Sequence, residues 1–474
     1  MCLTHILHMT DTLQFDAATL RRYDGPGPRY TSYPTAPHFG PQFTESMLRE
    51  HVQRTNAWPI PRGLSLYVHV PYCFSPCFYC GCNRIITRDL ARARPYLERL
   101  KREIGMLGPL FDGKREVIQV HLGGGTPNFM RAAELDELMT TMRRQFRLST
   151  SPDRDFSIEL DPRHVAAADI VQYACMGFNR ASLGVQDFDP EVQRAVNRIQ
   201  SIDETLRVLD TCRASGFRSI NVDLIYGLPK QTIDGFSRTL DTVLASRPDR
   251  LAIYSYAHLP AMFKAQRQID EADLPSSETK LALLALAVQK LSSAGYRYIG
   301  MDHFALPEDD LSRAQEHGTL QRNFMGYTTH AHCDLVGFGM SAISHIGESF
   351  SQNARDLPGW QSAIDEGRLP VWRGRDLHFD DLLRGEVIQQ LMCQGRIDLP
   401  SMEERFAIDF PSYFAAALAQ LRPLAADGLV TFDARSIEAT GRGRLLLRVI
   451  AMCFDRYLEA ARVPEARPQF SKVI

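Results

Sequence analysis

Six short runs rich in β-branched or aromatic residues recur between helical patterns, and this alternation restricts the possible folds of the chain. The runs span residues 64–70, 117–122, 156–160, 180–185, 219–224 and 251–256. Helical patterns between them lie at 96–107, 132–146, 204–215 and 235–246. Strands that alternate with helices predict parallel βα units, and right-handed connections curl such a sheet. We therefore predict an α/β fold built on a partial (β/α)6 barrel of TIM type.

Residues able to carry chemistry fall at the ends of these runs. Cys73 follows the first run, and the sequence Gly-Gly-Gly-Thr at 123–126 follows the second. The other four are Glu159 late in the third run, Gln186 at the end of the fourth, Asp223 late in the fifth and Ala257 after the sixth. Barrels of this kind place their chemistry at the C-terminal ends of the strands, so one rim is predicted to collect all six elements.

Two further parts flank the predicted barrel. Residues 22–36 are rich in Gly and Pro, which argues against a regular element there. After about residue 350 the pattern becomes helical, at 379–394, 401–407 and 413–421, with a short hairpin strand at 429–432. We divide the chain into an N-terminal arm (1–60), a barrel with an extension (61–350) and a mostly helical C-terminal domain (351–474).

Composition narrows the class of protein. The chain has 474 residues, enough for a barrel and a smaller domain, and its 44% hydrophobic and 23% charged residues are ordinary for a globular protein. A formal net charge of -2 gives no reason to expect nucleic acid or an anionic membrane as a partner. The apolar stretch at 281–288 is too short to span a bilayer. Residues 1–9 lack the basic region and the sustained apolar core of an export signal, so we expect a cytoplasmic protein. We also expect the first eight residues to result from an alternative start.

Four cysteines, Cys73, Cys77, Cys80 and Cys82, lie within ten residues. The first three have gaps of three and two residues, which suits three corners of an iron–sulfur cube with one iron left without a protein ligand. A zinc site would pair a two-cysteine knuckle with a second pair or with histidines, and no second knuckle follows. Disulfides would need an oxidising compartment. Zinc and redox thiols stay open as alternatives to a cluster.

The other six cysteines are scattered, and we expect all of them to be buried as small hydrophobic residues. They are Cys2, Cys175, Cys212, Cys333, Cys393 and Cys453.

The segment from Tyr67-Val-His-Val-Pro-Tyr-Cys73 to Cys82-Asn83 resembles the cluster loop of radical S-adenosylmethionine (SAM) enzymes, and specifically that of the oxygen-independent coproporphyrinogen III oxidases. The motifs at 29–34, 256–260 and 300–304 share this resemblance, which is dense over residues 22–397. It implies that Cys73, Cys77 and Cys80 bind a 4Fe-4S cluster, with Cys82 a family mark and not a ligand.

The resemblance also implies that the chain holds two molecules of SAM, the first on the open iron and the second beside it. The first would be bound chiefly by Tyr67, Gly124, Glu159 and Arg198, and the second by Tyr79, Gly125, Thr126, Gln186, Asp223, Ala257 and Ile343. Tyr67 and Glu159 are the candidate catalytic residues. Without the resemblance, the glycine triplet could be a tight turn and Glu159 part of a buried salt bridge.

One residue departs from the resembled family. Met325 stands where glutamine is expected, and a thioether is only a weak acceptor where an amide can bond a polar ligand. The affinity of the second SAM site is therefore expected to be lower than in the family.

The activity implied is the oxygen-independent oxidative decarboxylation of two propionates of coproporphyrinogen III to vinyl groups. It would give protoporphyrinogen IX, through a 5'-deoxyadenosyl radical, in anaerobic haem biosynthesis. An electron donor such as a flavodoxin or ferredoxin is implied too, and we expect a monomer. Positive groups should bind the substrate's carboxylates, and our candidates are Arg22, Arg29 and Arg322, although the simpler interpretation of each is a solvated arginine.

Three other functions were weighed against this one. A haem chaperone of similar ancestry would bind the cluster and SAM, but such relatives generally lack the fourth cysteine and the arm beginning near Arg22. A porphyrin-ring-opening methyltransferase is a weaker choice. A ferredoxin-like carrier is the weakest, because protein ligands would normally cap its fourth iron. His69 and His258 lie beside the rim, where a structural role is the simpler interpretation.

Overall fold

The computed structural model describes residues 13–460 and residue 472. Cys2 and the alternative start predicted within the first nine residues lie outside the described residues. Within the described part, no helix combines the length and the apolar composition needed to cross a membrane.

One large mixed sheet organises the molecule. Its strands are β1 Leu64–Val70, β2 Glu116–Gly124, β3 Asp155–Leu160, β4 Arg180–Gln186, β5 Ser219–Tyr226, β6 Arg250–Ser255, β7 Arg297–Gly300, β8 His303–Ala305, β9 Asp334–Phe338, β10 Ile343–Ile346, β11 Ser349–Asn353 and β12 Val371–Asp376. They are ordered β7-β8-β6-β5-β4-β3-β2-β1-β9-β10-β11-β12, and Arg147–Leu148 pairs beside β2. β1 to β6 are parallel neighbours in sequence order. The predicted six-stranded partial barrel is confirmed.

Helices connect and cover these strands. The main ones are α1 Glu45–Asn56, α2 Ala93–Leu107, α3 Ala132–Gln145, α4 Ala167–Cys175, α5 Ile202–Ala214, α6 Ile233–Ala245, α7 Ser277–Ser293, α8 Leu357–Asp365, α9 Phe379–Gln394, α10 Leu399–Phe406 and α11 Ala415–Ala426. Shorter helices are Ala17–Arg22, Pro190–Ala195, Asp310–Glu316, Phe410–Tyr413, Leu447–Met452 and Arg456–Ala460.

The core follows from the burial pattern of these elements. In β1 six of the seven residues are buried, because its alternate side chains pack under the helices and into the barrel interior. In α2, Tyr96, Leu97, Leu100 and Ile104 recur at helical spacing and are fully buried against the sheet. A second apolar cluster joins the C-terminal helices to the arm, where Tyr30 donates a hydrogen bond to Asp455 at 3.0 Å.

Several elements were missed or misplaced by the sequence analysis. α1, α4, α7 and α8 were not predicted. The pattern after residue 350 was taken as helical, yet β12 extends the large sheet to Asp376. Predicted helix 413–421 is wrong at its start, because one helix ends at Tyr413 and α11 begins at Ala415. The predicted hairpin strand is confirmed as Val430–Phe432, which pairs with Ser436–Ala439. The domain boundaries stay a prediction.

A buried ion pair joins β9 to the segment that leads into β2. Arg115 Nη2 lies 2.5 Å from Asp334 Oδ2, and both side chains are almost completely inaccessible. Asp334 also accepts a hydrogen bond from the N–H of Gly347 at 3.1 Å. Because β9 lies directly beside β1, the pair fixes the strand that borders the site.

We expect Asp334→Asn to lower the free energy of unfolding by roughly 3–5 kcal/mol, because it leaves the Arg115 guanidinium buried without an opposite charge. The matched control is Asp365→Asn, which removes an exposed carboxylate paired with Arg99 and Arg102 and should cost less than about 1 kcal/mol. Denaturant unfolding of both variants measures the difference. Equal losses would contradict the role assigned to the buried pair.

Candidate active site

The cysteine loop leaves the C-terminal end of β1. Its start is fixed by a short parallel pairing of Tyr72–Cys73 with Ile85–Ile86, and the Thr87 N–H donates to the Cys73 carbonyl at 3.0 Å. All four cysteines of the loop are free thiols; Cys77 is buried and Cys82 is exposed. Within residues 13–460 and 472, no three Cys, His, Asp or Glu side chains are already arranged as metal ligands.

Three arginines surround the loop. Arg84 donates to the carbonyls of Cys80 at 2.9 Å and of Cys77 at 3.1 Å. Arg198 Nη1 lies 3.6 Å and Arg163 Nη2 4.0 Å from the Cys77 sulfur. The loop is therefore enclosed by positive charge.

The thiols differ in their tendency to ionise. A hydrogen bond from Cys82 and the charge of Arg84 lower the pKa of Cys80 to about 6, despite burial. Burial raises the pKa of Cys73 to about 11, although Thr126 Oγ1 lies 3.4 Å from its sulfur. A thiol-rich loop enclosed by guanidinium groups therefore suits an anionic iron–sulfur cluster.

The glycine segment after β2 packs against the start of the cysteine loop. The Gly125 N–H donates to the Val70 carbonyl at 2.7 Å, and the Thr126 N–H donates to the Tyr72 carbonyl at 2.8 Å. A Cβ on Gly125 would lie 2.7 Å from the Pro71 carbonyl carbon, so a side chain there would displace the loop. Glycine at position 125 is therefore required by the close packing of the chain against itself. From the sequence we had predicted only the close approach of a ligand.

Two carboxylates face the barrel from neighbouring parts of the rim. Glu159 lies 3.2 Å from His121 Nε2 and accepts from the Gly124 N–H at 3.1 Å. Although burial opposes ionisation, these contacts lower the pKa of Glu159. Burial and the charge of Glu159 raise the pKa of Asp223 to about 6, and Asn221 and Ser182 donate to it at 2.8 and 3.0 Å. Glu159 therefore favours its carboxylate form, and a cation placed beside the two groups would lower the pKa of Asp223 as well, so this wall suits a cationic ligand.

Two buried polar atoms on the rim lack protein partners among the described residues: Gln186 Oε1 and Arg198 Nε. Gln186 ends β4 with a positive φ of 70°, which directs it away from regular strand geometry. Buried polar atoms are nearly always satisfied, so these two are suited to a bound polar ligand. The resemblance assigns both residues to the binding of SAM. An amide acceptor and a guanidinium donor fit the polar groups of that ligand.

Tyr67 lies in β1 between two histidines. Its ring stacks on His121 at 5.8 Å between centroids, and its hydroxyl lies 3.0 Å from His69 Nδ1. His69 Nε2 is 2.9 Å from the Asn83 carbonyl, so His69 links β1 to the end of the cysteine loop. His258 is likewise engaged, 2.8 Å from the Tyr256 hydroxyl. These contacts agree with the structural interpretation of both histidines.

The remaining predicted residues lie around the same end of the sheet. Gln266 donates to the carbonyls of Tyr79 at 2.9 Å and Ala257 at 3.2 Å, which holds these two together. Ile343 begins β10 beside the end of β9 and packs against Phe39, Phe350 and Leu377. A cavity of about 150 Å³ runs inside the barrel below Glu159 and Asp223, and Met325 lines it.

Sequence reasoning missed four residues that shape the site: Arg84, His121, Arg163 and Gln266. Arg84 follows Cys82-Asn83 directly and His121 precedes the glycine triplet, so adjacency to a motif was a usable signal for both. Gln266 gave no signal, because its two contacts join loops distant in the sequence.

Some predictions outside the rim need correction. Arg322 is buried, with its guanidinium 4.8 Å from the Tyr327 ring, so its interpretation as a solvated arginine is wrong. Arg22 is exposed, in agreement with its interpretation as a solvated arginine, and pairs with Asp427, whereas Arg29 is half-buried and pairs with Asp302. Cys175 is exposed and not buried, and Cys333 and Cys453 are half-buried, whereas Cys212 and Cys393 are buried as predicted.

Comparisons with known proteins agree with this geometry. Residues 67–243 match the family model of the radical SAM superfamily, and residues 377–446 match that of the HemN C-terminal domain. An oxygen-independent coproporphyrinogen III oxidase of Pseudomonas aeruginosa is 50% identical over 470 residues, which cover 98% of this chain and 100% of that protein. The Escherichia coli protein of the same name is 46% identical over 462 residues, 98% of this chain and 99% of that one.

A solved structure adds the same comparison in three dimensions. Coproporphyrinogen III oxidase from Escherichia coli, described as a radical SAM enzyme, superimposes with a TM-score of 0.89. It is 46% identical, and the match covers 94% of this chain and 100% of that chain.

We expect Cys73→Ser, Cys77→Ser and Cys80→Ser each to lose most of the bound iron, because each removes one thiolate from the set of three. Cys82→Ser is the matched control and should keep its iron content. Iron and sulfide analysis of anaerobically reconstituted protein measures both. Equal loss in all four variants would contradict the assignment of ligands.

Proposed function

The chain belongs to the family of oxygen-independent coproporphyrinogen III oxidases, and we propose that it carries out this reaction at the rim of its barrel. Coproporphyrinogen III is the substrate, and two of its propionates become the vinyl groups of protoporphyrinogen IX. Each gives up carbon dioxide, one β-hydrogen atom to the 5'-deoxyadenosyl group of SAM, and one electron to an acceptor. The observation that carries the proposal is the meeting of the three-cysteine loop, the Glu159–Asp223 wall and two unsatisfied polar atoms at one end of the sheet. The chain is thus a radical SAM oxidoreductase of haem biosynthesis.

In this proposal Cys73, Cys77 and Cys80 hold a 4Fe-4S cluster with one iron open. Arg84 orients the loop through the carbonyls of Cys77 and Cys80, and Arg198 and Arg163 offset the negative charge near the Cys77 sulfur. A 4Fe-4S cluster held by these three cysteines would supply the single electron for reductive cleavage of the SAM sulfonium.

Four residues hold the first SAM: Tyr67, Gly124, Glu159 and Arg198. Glu159 is fixed by His121 and by the Gly124 N–H, so it offers a carboxylate of set orientation to a ribose hydroxyl or a cationic group. Tyr67 is held between His121 and His69 and forms the floor at β1. Rigid placement of these groups keeps the reacting atoms in one geometry.

Seven residues hold the second SAM: Tyr79, Gly125, Thr126, Gln186, Asp223, Ala257 and Ile343. Asp223 supplies the negative charge that a sulfonium attracts, and Gln186 Oε1 supplies an unsatisfied acceptor. Gln266 fixes the distance between Tyr79 and Ala257, because its side-chain amide donates to the carbonyl of each residue.

The alternative of a haem chaperone has less support. Cys82 and the arm at 22–36, which such relatives generally lack, are both present, and Tyr30 of the arm is buried against the C-terminal helices. The matching relatives are named as oxidases. We further propose that the protein acts as a cytoplasmic monomer supplied with electrons by a flavodoxin or ferredoxin.

Anaerobic incubation of the reconstituted protein with coproporphyrinogen III, SAM and a reductant is expected to yield a product lighter by two carbon dioxides and four hydrogen atoms, together with 5'-deoxyadenosine. Mass spectrometry of the porphyrin and chromatography of the nucleoside measure both. Protein with Cys77→Ser is the negative control. Tight haem binding with an unchanged porphyrin mass would favour the chaperone.

Equilibrium dialysis with labelled SAM is expected to give two molecules per chain. Asp223→Asn should weaken only the second class by roughly tenfold or more, because it removes the charge that faces the sulfonium. Met325→Gln should tighten that class by restoring an amide at the cavity wall. A wild-type stoichiometry of one, or an effect of Asp223→Asn on the first class, would contradict the division of residues.

A further inference from the structure

Four arginines lie on the outer side of the cysteine loop: Arg88, Arg92, Arg355 and Arg373. We call them the arginine face. Arg88, Arg92 and Arg355 are exposed, and Arg373 is half-buried. Two apolar side chains, Ile86 and Trp372, accompany them and are 40% and 44% exposed. The face therefore combines arginine with exposed apolar groups, a composition enriched in protein interfaces.

Backbone contacts place this face directly over the cysteine loop. Ile86 pairs with Cys73, two residues before Arg88. Asn83 donates to the Arg355 carbonyl at 2.7 Å, which joins the other side of the face to the end of the loop. Solvent at the arginine face is therefore separated from the loop by little more than one layer of chain.

α2 packs against α8 beside the face. The Tyr96 ring lies 4.6 Å from the Trp360 ring between centroids, and the Trp360 indole N–H donates to Glu103 at 3.1 Å. Arg99 and Arg102 both lie 2.6 Å from Asp365. Arg92 precedes α2, and Arg355 precedes α8 by two residues. Contacts between the two helices therefore join the segments that carry these two arginines.

The charge of the face is not neutralised locally. Among the described residues none of its four arginines makes an ion pair, whereas Arg94, Arg99 and Arg102 of α2 all do. Arg373 bonds only the neutral Gln352, and the nearby charge of Arg355 adds to burial in lowering the pKa of Arg373. The two local aspartates, Asp89 and Asp356, cap helical turns through the N–H groups of Ala91 and Gly359.

Arg92 lies near the start of a continuous helical stretch. It ends the short 3-10 turn Leu90–Arg92, which Asp89 caps and which runs directly into α2. A positive charge close to a helix start gains nothing from the helix dipole, so the helix gives no reason for this exposed arginine.

We propose that the arginine face docks a small acidic electron-carrier protein. This inference rests on the proposed function, in which a bound cluster takes up one electron from outside the chain. The carrier is oxidised by one electron and the cluster is reduced by one; no atom is transferred. Positive charge at the entry speeds encounter with an acidic protein and orients it, and the exposed Ile86 and Trp372 supply apolar contact.

A porphyrinogen with four carboxylates would also be attracted to arginine, but the geometry favours a protein. Arg88 lies two residues beyond Ile86 at the edge of the loop and Arg92 at the start of α2, whereas Glu159 and Asp223 line the cavity inside the barrel. Exposed charges spread over two helix ends and β12 form a broad surface and not an enclosed pocket, which is the shape of a protein contact.

The first test measures binding without turnover. An acidic flavodoxin is titrated into the cluster-loaded protein by calorimetry, for the wild type and for Arg88→Glu/Arg92→Glu. We expect at least about tenfold weaker binding in the variant, and a wild-type affinity that falls with added salt. Arg207→Glu/Arg422→Glu is the matched control, because both residues are exposed and make no ion pair among the described residues. Unchanged binding in the first variant would overturn the proposal.

The second test separates the carrier from the substrate. Turnover driven by reduced methyl viologen, a cation that needs no basic surface, should stay within about twofold of wild type in Arg88→Glu/Arg92→Glu, while flavodoxin-driven turnover falls about tenfold or more. A raised KM for coproporphyrinogen III with methyl viologen would overturn the proposal and assign the face to substrate. If the milder Arg88→Gln/Arg92→Gln variant binds flavodoxin as wild type does, the proposal also fails. Absence of all turnover in the wild type would refute the proposed function instead, and the calorimetry would still decide this inference.

Discussion

The site depends on a backbone contact between two strand ends. The N–H groups of Gly125 and Thr126 donate to the carbonyls of Val70 and Tyr72, so the end of β2 is joined to the chain that enters the cysteine loop. The loop can lie this close only because Gly125 has no Cβ, which would lie 2.7 Å from Pro71. From this joint the thiols, the Glu159 carboxylate and Thr126 take fixed positions relative to one another. The glycine triplet thus acts through the chain's own packing before any ligand is present.

Charge is arranged on opposite sides of that joint. Around the loop, Arg84, Arg163 and Arg198 contact the cysteines or their carbonyls, which suits an anionic cluster. On the barrel side, Glu159 and Asp223 present negative charge, which suits a sulfonium and an amino group. A cationic ligand between an anionic cluster and an anionic wall is attracted from both directions. The positively charged surroundings of the loop thus suit the entry of electrons, and the negatively charged barrel side suits the binding of small cationic molecules.

Much of the fold was predictable, because the central strands are short runs with an apolar residue at every second position, where the helices cover the sheet. All six central strands were placed within two residues, and α9 was predicted at its observed bounds. The extension β9 to β12 was not predicted in this way. Ser349–Asn353 is completely buried yet largely polar, so its strand character depends on pairing partners distant in the sequence. α4 was missed in the same way, since its nine residues are shorter than the window in which helical periodicity becomes distinct.

The residues of the candidate site likewise fall into those that local sequence predicts and those that it does not. Residues at strand ends were found because the position of a strand end follows from the strand, and the cysteines were found by their spacing. Gln266 and Arg163 lie outside the predicted strands, and Arg322 is buried by long-range packing that no local pattern signals. Local sequence therefore predicts which groups reach the rim, but not which side chains fix their spacing.

The central claim is that three thiolates hold a cluster with one iron open to SAM, and electron paramagnetic resonance of the reduced, anaerobically reconstituted protein tests it most directly. The account predicts about four irons and four sulfides per chain. It also predicts a 4Fe-4S signal whose g values shift when SAM is added, because SAM binds the open iron. Protein that contains zinc in place of iron, or a cluster signal that SAM leaves unchanged, would contradict the account.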